Sequence, residues 1–138
     1  MKSITLFDAV GGESKFIELC EHFYNKVLAD PLLAQLFDRP EEDHAGRLAA
    51  WFTEVFGGPA RHTETRGGFS TMVRSHYGLK ITAPQREAWL EYMKQSTTEL
   101  NWSQQTSDAL IGYLNQHSKF SVRDSHAYPK DQPTGKTS

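Results

Sequence analysis

Apolar residues recur three and four positions apart along most of this chain and never alternate over the length of a strand, so the pattern predicts helices throughout. Leu6, Phe7 and Val10 predict a short helix stopped by Gly11-Gly12. Glu13 and Ser14 open a longer helix. It carries Phe16, Ile17, Leu19, Cys20, Phe23, Tyr24, Val27 and Leu28 as a broad apolar stripe. Asp30-Pro31 closes it, because the residue before a proline avoids helical angles. Leu32, Leu33, Leu36 and Phe37 predict a further turn or two. The polar run from Asp38 to Asp43, with Pro40 inside it, predicts a loop. Asp43 then caps a helix through Leu48, Ala49, Trp51, Phe52, Val55 and Phe56, which Gly57-Gly58-Pro59 stops.

Residues 60–68 read as a surface loop, and a short helix is predicted over Phe69 to Tyr77. Thr82 caps the next helix, with Pro84 in its first turn and Trp89, Leu90, Tyr92, Met93 and Leu100 along it. Ser103 caps the last, which carries Leu110, Ile111, Leu114, Phe120 and Val122. Beyond Asp124 the chain is polar and contains Pro129, Pro133 and Gly135, a composition that predicts disorder. The sum is an all-α fold of six or seven helices in one domain over 1–123, followed by a tail over 124–138.

A chain of 138 residues supports one core. Apolar residues make up 38 % of it and aromatic ones 12 %, so the core relies on large side chains, or part of the interior is filled by something other than protein. Composition leaves both open. A net charge of -2 gives no sign of an electrostatic nucleic-acid binder. Cys20 is the only cysteine, which excludes an intrachain disulfide and a cysteine-rich metal site and fits a reducing compartment. Neither a leader-like run near Met1 nor the ~20 apolar residues of a membrane span is found. A soluble cytoplasmic protein is the expectation.

The histidines are His22, His44, His62, His76, His117 and His126, none in an HExxH or His-x3-His pair, so a zinc site on one helix is not supported. A nucleophile elbow and a phosphate-binding glycine loop are also missing. The 17 acidic residues contain no placed pair and read as a solvated surface. On chemistry alone, an isolated histidine on a short helix is more often structural or exposed than a ligand.

Several short pieces, taken in order, change that reading. They are Leu6-Phe7-Asp8-Ala9-Val10-Gly11-Gly12, then Phe23-Tyr24, then Phe56-Gly57-Gly58-Pro59. Arg74-Ser75-His76-Tyr77 follows with Ile81 beyond it, and then Arg86-Glu87-Ala88-Trp89-Leu90. Over about residues 4 to 122 this set resembles the group II truncated haemoglobins. The resemblance implies a two-over-two helical sandwich around one haem b (iron protoporphyrin IX). It implies that His76 is the proximal iron ligand, with its second ring nitrogen donating to a backbone carbonyl or water.

By the same resemblance Tyr24 is the distal tyrosine, whose hydroxyl can donate to a ligand on the iron, although it also fits the apolar stripe. Trp89 is the tryptophan that marks the group; its indole N–H is donor-only and its face can lie along the haem. Trp51 and Trp102 read as ordinary core. His44 and Leu48, four apart, share one face over the distal side. His44 stands where many group II members carry a small residue, and can donate to the ligand, gate access or bind the iron; Leu48 would form an apolar lid. Phe37 falls where the family carries Tyr or Phe, and without a hydroxyl it gives the Tyr24 network one donor fewer. Arg47 matches a basic position that pairs with a haem propionate, or else it lies on a solvated face. Phe52, Phe69, Met72, Ile81 and Met93 are wall candidates, for which core packing without haem contact is an equal reading.

The function implied is reversible binding of oxygen and other diatomic gases. The competing readings are a haem redox enzyme (nitric oxide dioxygenase or peroxidase-like) and a haem-free helical interaction module. An unidentified reductase would serve the redox reading, and the expected assembly is a monomer or homodimer.

Overall fold

The structure is a computed structural model and describes residues 4–37, 43–127 and 129, the side chains of residues 66 and 69–71 excepted. The described residues form α1 (Leu6–Val10), α2 (Glu13–Ala29), α3 (Pro31–Ala34), α4 (His44–Val55), α5 (Arg61–Arg66), α6 (Gly68–Arg74), α7 (Ala83–Glu99) and α8 (Gln104–Ala127), with no strand among them. The predicted caps hold. The Asp43 carboxylate accepts from the Gly46 amide at 2.8 Å. Ser103 Oγ accepts from the Thr106 amide at 3.1 Å. Thr82 and Gln85 form a reciprocal capping box at the start of α7. Each such cap is worth about 1 kcal/mol. Asp30 ends α2 and, by accepting from the Leu32 amide at 2.9 Å, starts α3.

Two helix pairs make the body: α2 packs on α4, and α7 packs on α8, with α2 also against α7. The face of α2 buried between them is the centre of the predicted stripe, with Phe16, Leu19, Cys20, Phe23 and Val27 all at 0 % exposure, while Ile17 and Leu28 at its edges are exposed. Ala49, Trp51 and Phe52 of α4, Met93 of α7, and Leu110 and Leu114 of α8 complete the core. The Phe16 ring touches Phe52, Phe56 and Trp102, with centroids 5.8, 5.8 and 6.0 Å away.

Gly57-Gly58 does more than stop α4. The Phe7 amide donates to the Phe56 carbonyl at 2.9 Å, which docks α1 on the end of α4. A Cβ on Gly58 would lie 2.6 Å from the Phe7 ring and 2.8 Å from the Thr53 carbonyl oxygen, and Gly57 has φ +107°. The close approach of two chain segments therefore needs both glycines.

Three stretches depart from the sequence reading. The helix expected over Phe69 to Tyr77 ends at Arg74. Residues 61–66, expected as loop, form α5. Arg-His-Thr-Glu-Thr-Arg has no apolar period to reveal it; the helix is held from outside, by Glu54 accepting from the Thr63 amide at 2.7 Å and by Arg61 Nε donating to Glu13 at 3.2 Å. The last helix runs on to Ala127. Its final turn straps the segment between α6 and α7. Ser125 Oγ accepts from the Ile81 amide at 3.0 Å, and the Ser125 carbonyl accepts from Lys80 N at 3.2 Å. His126 Nε2 donates to the Ile81 carbonyl at 2.8 Å. Of the expected tail, residues 128 and 130–138 lie outside the described residues.

Candidate functional site

A cavity of about 730 Å3 opens between the helix pairs. That is well within the range of small-molecule and cofactor sites, roughly 300–1,000 Å3. One wall comes from α2, the stretch after α3, α4 and α7, as Tyr24, Phe37, His44, Arg47, Leu48, Phe52 and Trp89. The other comes from α6, the segment after it and α8, as Met72, His76, Leu79, Ile81, Leu114 and Val122. The sequence thus brings its expected residues to one place with two departures. Met93 is fully buried in the core and does not line the cavity. The Phe69 side chain lies outside the described residues.

His76 sits in the turn after α6, with its Nδ1–H donating to the Met72 carbonyl at 3.0 Å. A carbonyl only accepts, so the proton is on Nδ1 and the lone pair on Nε2. Burial pushes the imidazole below its ordinary pKa, against the opposing hydrogen bond to Met72, and keeps the ring neutral. A neutral imidazole with one nitrogen fixed by a carbonyl is the form that ligates a metal. Among the described residues, no group of three or more His, Cys, Asp or Glu side chains could hold a metal ion. A metal taken here by His76 would bring its remaining donors with it, as in a macrocycle.

On the first wall the rings interlock. Trp89 stands edge-on to Phe23 at 5.2 Å, Phe23 to Tyr24 at 5.0 Å, Tyr24 to Phe37 at 5.5 Å and Phe37 to His44 at 4.8 Å. Burial drives the Tyr24 phenol well above its ordinary pKa, helped by the neighbouring Cys20 and opposed by Arg47, so it remains a donor throughout the physiological range. Neither the Tyr24 hydroxyl nor the Trp89 indole N–H forms a hydrogen bond to another described residue. Both side chains line the cavity, where their donors are within reach of a polar guest. An apolar space of this size, one prepared imidazole and two waiting donors fit a haem with a small polar ligand.

Several lining residues were not singled out from sequence. Trp51 was read as plain core, yet it lines the cavity at 7 % exposure, together with His62 and His117. Its position three residues after Leu48 carried the signal. Gln85 was missed because its role is long-range: its side chain spans from the Thr82 amide, accepted at 2.8 Å, to the Leu32 carbonyl, reached at 3.1 Å.

A cavity between crossed helix pairs, with an imidazole on its wall whose Nδ1 is held by a backbone carbonyl, is the architecture of a globin. The family described as bacterial-like globin matches residues 5–122. The group 2 truncated haemoglobin YjbI of Bacillus subtilis is 28 % identical over 122 residues, covering 88 % of this chain and 90 % of that protein. The group II truncated haemoglobin of Bacillus anthracis superposes with a TM-score of 0.80 at 25 % identity, over 96 % of this chain and 98 % of that one. The truncated oxygen-avid haemoglobin from Bacillus subtilis gives 0.77 at 26 % identity, over 86 % and 99 %. The chain belongs to the bacterial-like globins. Membership implies haem and the binding of diatomic gases. No described helix is long and apolar enough to cross a membrane.

Proposed function

We propose that the chain binds oxygen and other diatomic ligands reversibly on haem b, with His76 as the proximal iron ligand. The observation that carries this is the His76 hydrogen bond to Met72, which fixes the tautomer with Nε2 available inside the cavity. When bound, haem supplies an iron with one open position for a gas. The residues of the other wall then act on that ligand. Tyr24 and Trp89 donate to it, His44 stands beside Tyr24 with ring centroids 5.9 Å apart, and Leu48 and Phe37 exclude water. Arg47 pairs with a propionate. Phe52, Met72 and Ile81 supply apolar contact to the macrocycle.

A second reading, redox chemistry on nitric oxide or a peroxide, is favoured by the number of donors on one wall. Tyr24, Trp89 and His44 together suit retention and activation of a ligand over rapid release. This reading takes electrons from an unidentified reductase. Either way the protein acts in the cytoplasm, as a monomer or homodimer, and the working domain runs past residue 123 to the end of α8 at Ala127.

Absorption spectra of the purified ferric and ferrous protein test the reading. The expected result is a Soret band that shifts with oxygen or carbon monoxide. His76→Ala should lose most of its haem on purification; full retention with an unchanged spectrum would overturn the assignment of the ligand. A ferrous spectrum of the histidine-filled type, abolished in His44→Ala, would assign the sixth position to His44.

A further inference from the structure

One part of the cavity wall plays no role in holding a gas, and it leads to the surface. Trp51 lines the cavity, and its ring lies 6.2 Å from that of His117. His117 in turn stacks on Tyr113 at 5.4 Å, with the two planes 18° apart. Tyr113 is only partly buried. Burial raises its phenol pKa, and a side-chain hydrogen bond with Trp51 opposes that rise. Tyr113 does not line the cavity, and its partial exposure gives the phenolic proton a way to solvent. Tryptophan and tyrosine are the two aromatic side chains most readily oxidised by one electron, and here both flank the ring of His117.

We infer that Trp51 and Tyr113 form a relay that carries an oxidising equivalent from the haem cavity to the surface, where Tyr113 oxidises a small phenolic or enediol reductant. The inference rests on the haem reading above. The oxidant is a hydroperoxide. It takes two electrons and two protons, its O–O bond breaks, and it leaves as an alcohol (or water) and water. Tyr113 supplies one of the electrons through Trp51 and gives its phenolic proton to solvent, becoming a neutral phenoxyl radical. The second electron is drawn from the haem group. Two molecules of reductant, each giving one electron and one proton, restore the resting state.

The other aromatic residues on the wall do not serve. Tyr24 is enclosed, and its phenol is held far above its ordinary pKa, so its proton has no exit. Trp89 leads to Phe23, which is much harder to oxidise. Tyr92 donates to Asp30 at 2.6 Å, a good proton acceptor, but it does not line the cavity.

The test is electron paramagnetic resonance of the ferric full-length protein, freeze-quenched after mixing with hydrogen peroxide. The expected result is a tyrosine-type radical that is lost in Tyr113→Phe and weakened in Trp51→Phe. The Soret band of Tyr113→Phe should be that of the wild type. Spin trapping on the wild type, with the adduct located by peptide mass spectrometry, reads the same site without a variant and should mark Tyr113. A Soret band with no tyrosine-type signal, or a signal unchanged in Tyr113→Phe, overturns the relay alone. A wild-type chain with no Soret band overturns the haem reading, and the relay falls with it.

Discussion

A histidine can give a metal its lone pair only if its proton is kept on the other nitrogen. Met72, one helical turn before His76, does this with a backbone carbonyl, so the tautomer is set by the geometry of α6 and needs no second side chain. The opposite wall is prepared in the complementary sense, since Tyr24 and Trp89 bring donors. A hydrogen bond to a charged acceptor contributes about 1.5–3 kcal/mol, and a tenfold change in rate corresponds to about 1.4 kcal/mol. Tyr24→Phe and Trp89→Phe should therefore each raise the oxygen dissociation rate by roughly ten- to a hundredfold, measured by stopped-flow displacement with dithionite. An unchanged rate in both would remove these residues from ligand retention. Tyr24, Trp89 and His76 were legible in the sequence because family motifs mark them. The Met72 carbonyl was not, because any residue at that position offers the same oxygen.

Among the helices, those with an apolar face were visible and those held by polar contacts were not. The stripe on α2 and the caps at Asp43, Thr82 and Ser103 are local chemistry and lie where periodicity puts them. α5 and the last turn of α8 depend on partners far along the chain, at Glu54, Glu13 and Ile81. The joint between α1 and α4 yields a direct test. Gly58→Ala would drive a methyl group into the Phe7 ring and the Thr53 carbonyl, and should cost about 1–3 kcal/mol of stability in denaturant unfolding. Equal stability would show that α1 can shift freely.

A second test concerns α2 and α7. Glu99 accepts from His22 Nε2 at 2.6 Å and from Lys26 Nζ at 3.1 Å, and these two bonds, His22 first, hold its carboxyl below the ordinary value. A depressed carboxylate stabilises the fold above its unfolded pKa, and that contribution is lost as pH falls through the lower folded value. The stability gap between wild type and Glu99→Gln should therefore be present at neutral pH and close on acidification through the carboxylate range. A gap independent of pH would assign the effect to something other than the charge.

For the molecule as a whole, the cavity exists because two helix pairs cross with most of their large rings committed elsewhere. Phe16, Phe56 and Trp102 pack on one another away from the cavity, and Met93 is buried in the same core. The sequence showed this only as an ambiguity, a low apolar fraction combined with many rings. Composition cannot distinguish side chains that pack on one another from side chains that surround a guest, and so it cannot tell Met93, in the core, from Trp51, on the cavity wall. Both are apolar and spaced for burial, and only the crossing of the helices decides which one faces the cavity.

The strap at the end of α8 bears on where this chain can be shortened. A cut after Arg123, where the hydrophobic pattern runs out, would remove Ser125 and His126 and release Lys80 and Ile81. Most of the core would survive, since Leu110 and Leu114 remain. The imidazole meant for iron would then ride on an untethered stretch of backbone. Such a shortened globin should circulate as a folded protein that leaks its porphyrin to apomyoglobin faster than the parent does.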